Sequence, residues 1–98
     1  MTDKLNKNIK LEDKLFTPVS KEMLEELSLN DIPSLIKFMY KTKKSYSQIH
    51  KIRDYLVAKE IAMVDKEGKG AKTTLTPKGR EIAKSFMDFL EVLRKYDK

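Results

Sequence analysis

The side chains best suited to recognition chemistry lie in one stretch of this 98-residue chain, "SYSQIHKIRDYLVAKEIAMV", residues 45–64. Ser47, Gln48 and Lys51 supply hydroxyl, amide and ammonium groups near its start, with Tyr46 and His50 beside them. Ile49, Ile52 and Leu56 recur at three- and four-residue spacing, so a helix here has one apolar side and one hydrogen-bonding side. Side chains in the first two turns of such a helix can reach base edges in the DNA major groove. There Gln pairs with adenine in bidentate fashion, and Lys donates to guanine. Lys41, Lys43 and Lys44, just before the stretch, are placed to meet phosphates, which position a protein without specifying its site. Bland roles stand beside these. A single lysine is usually a solvated charge, and Tyr46 and Tyr55 can pack at the edge of the core. His50 has no second histidine or cysteine with which to share a metal.

Composition narrows the alternatives. The chain has one His, three Gly and no Cys, so a disulfide framework and a thiolate metal site are excluded. Its acids are scattered, with no phosphate-cradling loop and no nucleophile–base arrangement, and the expectation is a non-enzyme without cofactor or metal. Net charge is +6, which favours an anionic partner. The excess is concentrated: residues 1–40 carry net −1, residues 41–72 net +5 and residues 73–98 net +2. No apolar run approaches the roughly 18 residues a membrane span needs. The start, "MTDKLNKNIK", lacks an apolar signal core. A cytoplasmic, nucleoid-associated protein without membrane contact is therefore expected. Abundant lysine with neither Cys nor Trp would suit a thermophile.

The surrounding elements must position that helix. Residues 1–10 are polar and expected to fray. Leu11, Leu15 and Phe16 suggest a lead-in segment that Pro18 interrupts. "SKEMLEELS" predicts a short helix capped by Ser20, with Glu22 near its positive end and Met23, Leu24 and Leu27 buried. In "LNDIPSLIKFMYKTKK", Asn30 or Asp31 can cap and Pro33 suits a first turn, with Ile32, Leu35, Ile36 and Met39 at helical spacing. Ser45 is a natural N-cap for the third helix, over about 45–59. Residues 61–64 and "TTL" form a candidate hairpin around the glycine-spaced turn "DKEGKGAK". Thr76 caps the last helix, with Pro77 at its first position, and that helix should run to Tyr96. Along it Ile82, Phe86, Phe89, Leu93 and Tyr96 are spaced 4, 3, 4, 3, a coiled-coil seam that Ala83 and Leu90 broaden. The fold class expected is α+β, mostly α, in one domain.

Two stretches carry a resemblance. "SYSQIHKIRDYLVAKEIAMV" is similar to the recognition helix and first wing strand of winged helix-turn-helix proteins, with Ile49, Leu56 and Ile61 in the apolar places. "LTPKGREIA" resembles the "LTxKG" pattern that closes the wing in MarR-like and PadR-like regulators and in small archaeal winged-helix proteins. That family often has a glycine just before the first wing strand, where this chain has Glu60. The resemblance implies a winged domain over residues 11–76 and a C-terminal dimerisation helix over 77–98. It further implies a homodimeric transcriptional regulator that binds double-stranded DNA. The residues implied to touch DNA are Lys43, Lys44, Ser45, Tyr46, Ser47, Gln48, His50 and Lys51, with Lys66, Lys69 and Lys72 on a wing spanning about 61–75. The implied dimer interface is Ile82, Phe86, Phe89, Leu90, Leu93 and Tyr96.

Two other readings fit the same residues. One is a less specific chromatin or architectural protein that works by neutralising phosphates. The other is a winged helix used only to dock proteins, against which the lysine excess of residues 41–72 argues.

Overall fold

A computed structural model describes residues 9–65 and 71–97. The elements follow in the order α1 (Leu11–Lys14), α2 (Pro18–Leu29), α3 (Leu35–Thr42), α4 (Tyr46–Ala58), β1 (Ala62–Asp65), β2 (Lys72–Leu75) and α5 (Pro77–Tyr96). The architecture is α+β and mostly helical, with a two-stranded antiparallel sheet and a long C-terminal helix. Ala62 pairs with Leu75 and Asp65 with Lys72 across the hairpin.

Proline and threonine set the first boundaries. Pro18 does not interrupt the lead-in segment; it opens α2 at N1, where a missing N–H costs little. The cap position therefore falls on Thr17, and Ser20, expected there, lies inside the first turn and is fully buried. Its Oγ accepts a hydrogen bond from Thr17 Oγ1 at 3.0 Å. Met23, Leu24 and Leu27 are buried as the spacing requires.

The second boundary also moves. The α3 cap is Ser34, whose Oγ accepts from the Lys37 N–H, and not Asn30 or Asp31. Ile32 lies outside the helix because a residue before proline is driven to extended backbone. It forms an antiparallel bridge to Thr73, with both backbone bonds made at 2.8 and 3.0 Å, and so adds a third rung-wide strand to the hairpin. With the helix starting at Leu35, its buried positions become Leu35 and Phe38, and Ile36 turns out to solvent.

The core is one cluster drawn from α2 to α5 and both strands, with Leu15 added just after α1, and with Met23, Leu24, Ile49, Tyr55, Leu56 and Ile61 at its centre. Tyr55 is fully buried, and its hydroxyl donates to the Ile9 carbonyl at 2.7 Å. The N-terminal segment, expected to fray through residue 10, is thus pinned at Ile9. Residues 1–8 lie outside the described residues. Beyond Leu90 every described residue of α5 and Asp97 is exposed, so the helix runs past the core it packs on.

The hairpin is fastened at both ends. Helix α4 ends in a Schellman arrangement: Glu60 N–H donates to Val57 O, and Ile61 N–H donates to Leu56 O at 2.8 Å. Glu60 takes the left-handed conformation this requires, at φ 62°. At the other end Thr76 Oγ1 accepts from Gly79 N–H at 2.9 Å and donates to Glu60 O at 2.6 Å. Gly79 meets the Ile61 carbonyl so closely that a Cβ there would lie 1.8 Å from its oxygen. In "LTPKG", then, Leu75 fills the core, Thr76 ties strand to helix and Pro77 starts the helix. Lys78 binds the Lys59 carbonyl at 2.9 Å, and Gly79 permits contact.

Candidate nucleic-acid interface

Helix α4 owes its position to its two ends and its apolar side. Ser45 caps it, the side-chain oxygen accepting from Gln48 N–H at 3.2 Å. Ile49, Ile52, Tyr55 and Leu56 bury one face. The preceding turn reverses the chain through Lys43, which adopts φ 60° and leaves its side chain exposed. Thr42 steadies that turn by donating to Phe38 O at 2.9 Å.

These constraints turn Ser47, Gln48 and Lys51 outward and exposed in the first two turns of α4. Tyr46 is 44% exposed, and its ring lies 5.6 Å from that of His50. Ser45 is exposed as well, although its oxygen already serves the cap. Lys44 approaches Glu22 at 4.0 Å, and Lys41 is paired with Glu26 at 2.7 Å. Lys72, on β2, sits 3.7 Å from Asp31. Lys66 and Lys69 lie outside the described residues.

Three residues that sequence reasoning passed over belong to the same surface. Lys14 comes in from α1 to line a groove of about 320 Å³ with Thr17, Lys44, Gln48 and Lys51. No sequence pattern marks Lys14, because only the tertiary fold brings it to the groove that Gln48 and Lys51 also line. Arg53 and Asp54 carried a readable signal, the i,i+3 and i,i+4 spacing from His50. His50 Nδ1 lies 3.0 Å from Asp54 Oδ2, and Arg53 Nη2 lies 3.1 Å from both His50 Nε2 and Asp54 Oδ1. His50 is therefore a bonded member of a cluster, while its side chain stays 41% exposed.

Chemically, this face can donate and accept hydrogen bonds over two turns and present ammonium groups around them. Among the described residues there is no group of three His, Asp or Glu side chains placed to hold a metal ion. Nor is any helix long and apolar enough to cross a membrane.

The seam on α5 divides. Phe86 and Leu90 are buried in the chain's own core, and Ile82 is partly buried against it. Phe89, Leu93 and Tyr96 remain exposed, joined by Val92 and by Phe16, whose ring lies 6.1 Å from that of Phe89. Among the described residues, this second set is the part of the stripe left exposed.

Compared with known proteins, the chain matches no family model and no curated sequence.

Proposed function

We propose that the chain is a double-stranded-DNA-binding transcriptional regulator of the winged helix-turn-helix type. In this reading α4 is the recognition helix, α3 the helix that braces it, and the β1–β2 hairpin the wing. The observation that carries it is the outward row Ser47, Gln48 and Lys51 on a capped, well-buried helix, with lysines at its approach. Gln48 would pair with adenine, Lys51 with guanine, and Ser47 with either. Lys43, Lys44 and Lys72 would hold phosphates and fix the register. The close fit of Gly79 on Ile61 and the left-handed Glu60 supply physical reasons for the "LTPKG" pattern and for a glycine-like position before the first strand. Both support the winged reading.

Pairing of two copies would occur through the exposed part of the α5 stripe, Phe89, Leu93 and Tyr96. A two-fold axis there would set two recognition helices on half-sites about 34–36 Å apart.

The test is a fluorescence-anisotropy titration against a random duplex pool at several salt concentrations, with the bound DNA recovered and sequenced. If six to ten phosphates are contacted, affinity should fall by about 10³–10⁵ between about 50 and 200 mM salt. An enriched palindrome is the expected sequencing result. The same salt slope with no enriched sequence would make the protein an architectural binder. No binding at low salt would overturn the DNA reading and leave a docking module.

A further inference from the structure

Helix α5 carries two apolar surfaces of opposite shape. Toward its start, a groove of about 490 Å³ opens between it, α1 and the two residues after α1. Leu11, Leu15, Phe16, Ile82, Phe86 and Phe89 line this groove, and the charged residues on its lip are Glu12 and Glu81. Its aromatic wall is one block, the Phe16 ring lying 5.3 Å from that of Phe86 and 6.1 Å from that of Phe89. The wall is open even so, with Phe16 56% and Phe89 48% exposed. Toward its other end the helix runs past the core, and Val92, Leu93 and Tyr96 stand out from it, Tyr96 at 77% exposure. Lys95 accompanies them, its ammonium 5.5 Å from the centre of the Tyr96 ring.

We propose that the groove seats the end of α5 from a second copy of this chain, and that the two helices pair antiparallel. The proposal specifies the pairing through α5 put forward above and rests on it. Charge is the first support. Among the described residues the lip is acidic and no cation lines the groove, whereas Lys95 rides beside the aromatic that would enter. Arg94, the neighbouring cation, is already engaged by Glu25 on α2 at 2.6 Å.

Register is the second. A two-fold axis makes one patch serve both copies, so each contact occurs twice. Ile82 and Tyr96 each lie seven residues from Phe89. An axis passing at Phe89 therefore brings Tyr96 of each copy level with Ile82 of the other, inside the groove. Glu81 and Lys95, fourteen residues apart, project within about 40° of one another around the helix. In a two-fold antiparallel pair like flanks meet, so Glu81 of one copy faces Lys95 of the other. The two are out of level by about 3 Å, which a lysine side chain spans.

Parallel pairing has neither property. It sets acid level with acid and groove level with groove, and leaves both grooves unfilled. The antiparallel pair covers Phe16, Phe89 and Tyr96 of both copies, the kind of large aromatic anchors that dominate stable interfaces.

The chain has no cysteine, so engineered ones report the orientation without interference. Ser85 and Leu93 are exposed and lie four residues either side of Phe89. Ser85→Cys and Leu93→Cys chains are oxidised separately and as an equal mixture, beside a sedimentation-equilibrium run on wild type. The mixture should cross-link one variant to the other. Each variant alone should stay uncross-linked, because its two cysteines are then about 12 Å apart along the helices, beyond the roughly 7 Å that a disulfide allows between Cα atoms. Cross-linking of Leu93→Cys with itself would show parallel pairing and overturn the proposal while leaving the α5 interface in place. A dimer that cross-links in no sample would overturn it too. A wild type that stays monomeric would sink the proposal and the pairing together, and would leave the DNA-binding face untouched. Charge supplies a second readout. Glu81→Lys and Lys95→Glu should each weaken self-association about threefold or more. The two mixed should recover it, since each altered lip then meets an altered end. Failure of the mixture to recover would refute the acidic lip as the seat.

Discussion

At the scale of single residues, the fold is held by a few positions whose backbone or contacts admit little else. Gly79 is the strictest. Its neighbour, the Ile61 carbonyl, is fixed by hydrogen bonds from Thr76 N–H at 3.0 Å and Thr76 Oγ1 at 3.1 Å, so it cannot retreat from a new methyl group. Gly79→Ala should therefore cost about 3 kcal/mol and lower Tm by more than about 10 °C in a thermal melt. Glu60 should behave in the opposite way. An L-residue in the left-handed region carries about 1–2 kcal/mol of strain, while a glycine loosens the unfolded chain by about 0.4–1 kcal/mol. The first effect is larger, so Glu60→Gly should raise stability by about 0.5–1 kcal/mol in urea titration. Tyr55 gives a pH dependence. Burial raises its pKa above the ordinary 10.0, and the nearby Asp13 carboxylate adds to the rise. The unfolded chain then ionises first, so the stabilisation is complete below about pH 10 and declines as pH rises further. Denaturation midpoints above about pH 10 should fall more steeply for wild type than for Tyr55→Phe. That variant should cost about 1 kcal/mol at neutral pH through the lost bond to Ile9.

At the scale of elements, the sequence was legible where periodicity and capping agreed. Helix α4 and helix α5 carry a capping hydroxyl at the start and an apolar stripe thereafter, and both lie where those signals put them. The boundaries of α2 and α3 were misread for one shared reason. In both, a proline follows or precedes a residue able to cap, and local sequence does not say which side of the proline the helix begins. Burial decided it: Ser20 was needed in the core and Ile32 was needed to pair with Thr73. The candidate site was legible in part. Ser47, Gln48 and Lys51 follow from helical spacing alone, whereas Lys14 reaches the same groove only through tertiary packing. Arg53 and Asp54 were overlooked because charged pairs three or four residues apart are common on solvated helices. If α4 reads bases, Gln48→Ala and Lys51→Ala should each weaken binding to an enriched site by about 1–3 kcal/mol and leave random-sequence binding nearly unchanged. Competition titrations with the two DNAs measure this. Equal losses on both would show that α4 meets only the backbone.

At the scale of the whole molecule, α5 runs past the core it packs on and leaves an apolar stripe exposed at its end. The heptad-like spacing was legible, but not how it is shared. Phe86 and Leu90 face inward because α5 packs along α2, and an isolated seam does not reveal which of its members the same chain will consume. Charge at Phe86 would therefore unfold the protein without informing on assembly. Phe89→Lys and Leu93→Lys, at exposed positions, should leave the thermal melt nearly unchanged and convert a dimer to a monomer in sedimentation equilibrium. An unchanged dimer would move the interface off this stripe. In the function we propose, the outward face of α4 is the surface that meets DNA. The most direct measurement is a map of backbone amide shifts on adding a short duplex. The largest changes should fall on residues 43–54, with smaller ones at Lys14 and Lys72. Shifts confined to α5, or none at all at low salt, would contradict it.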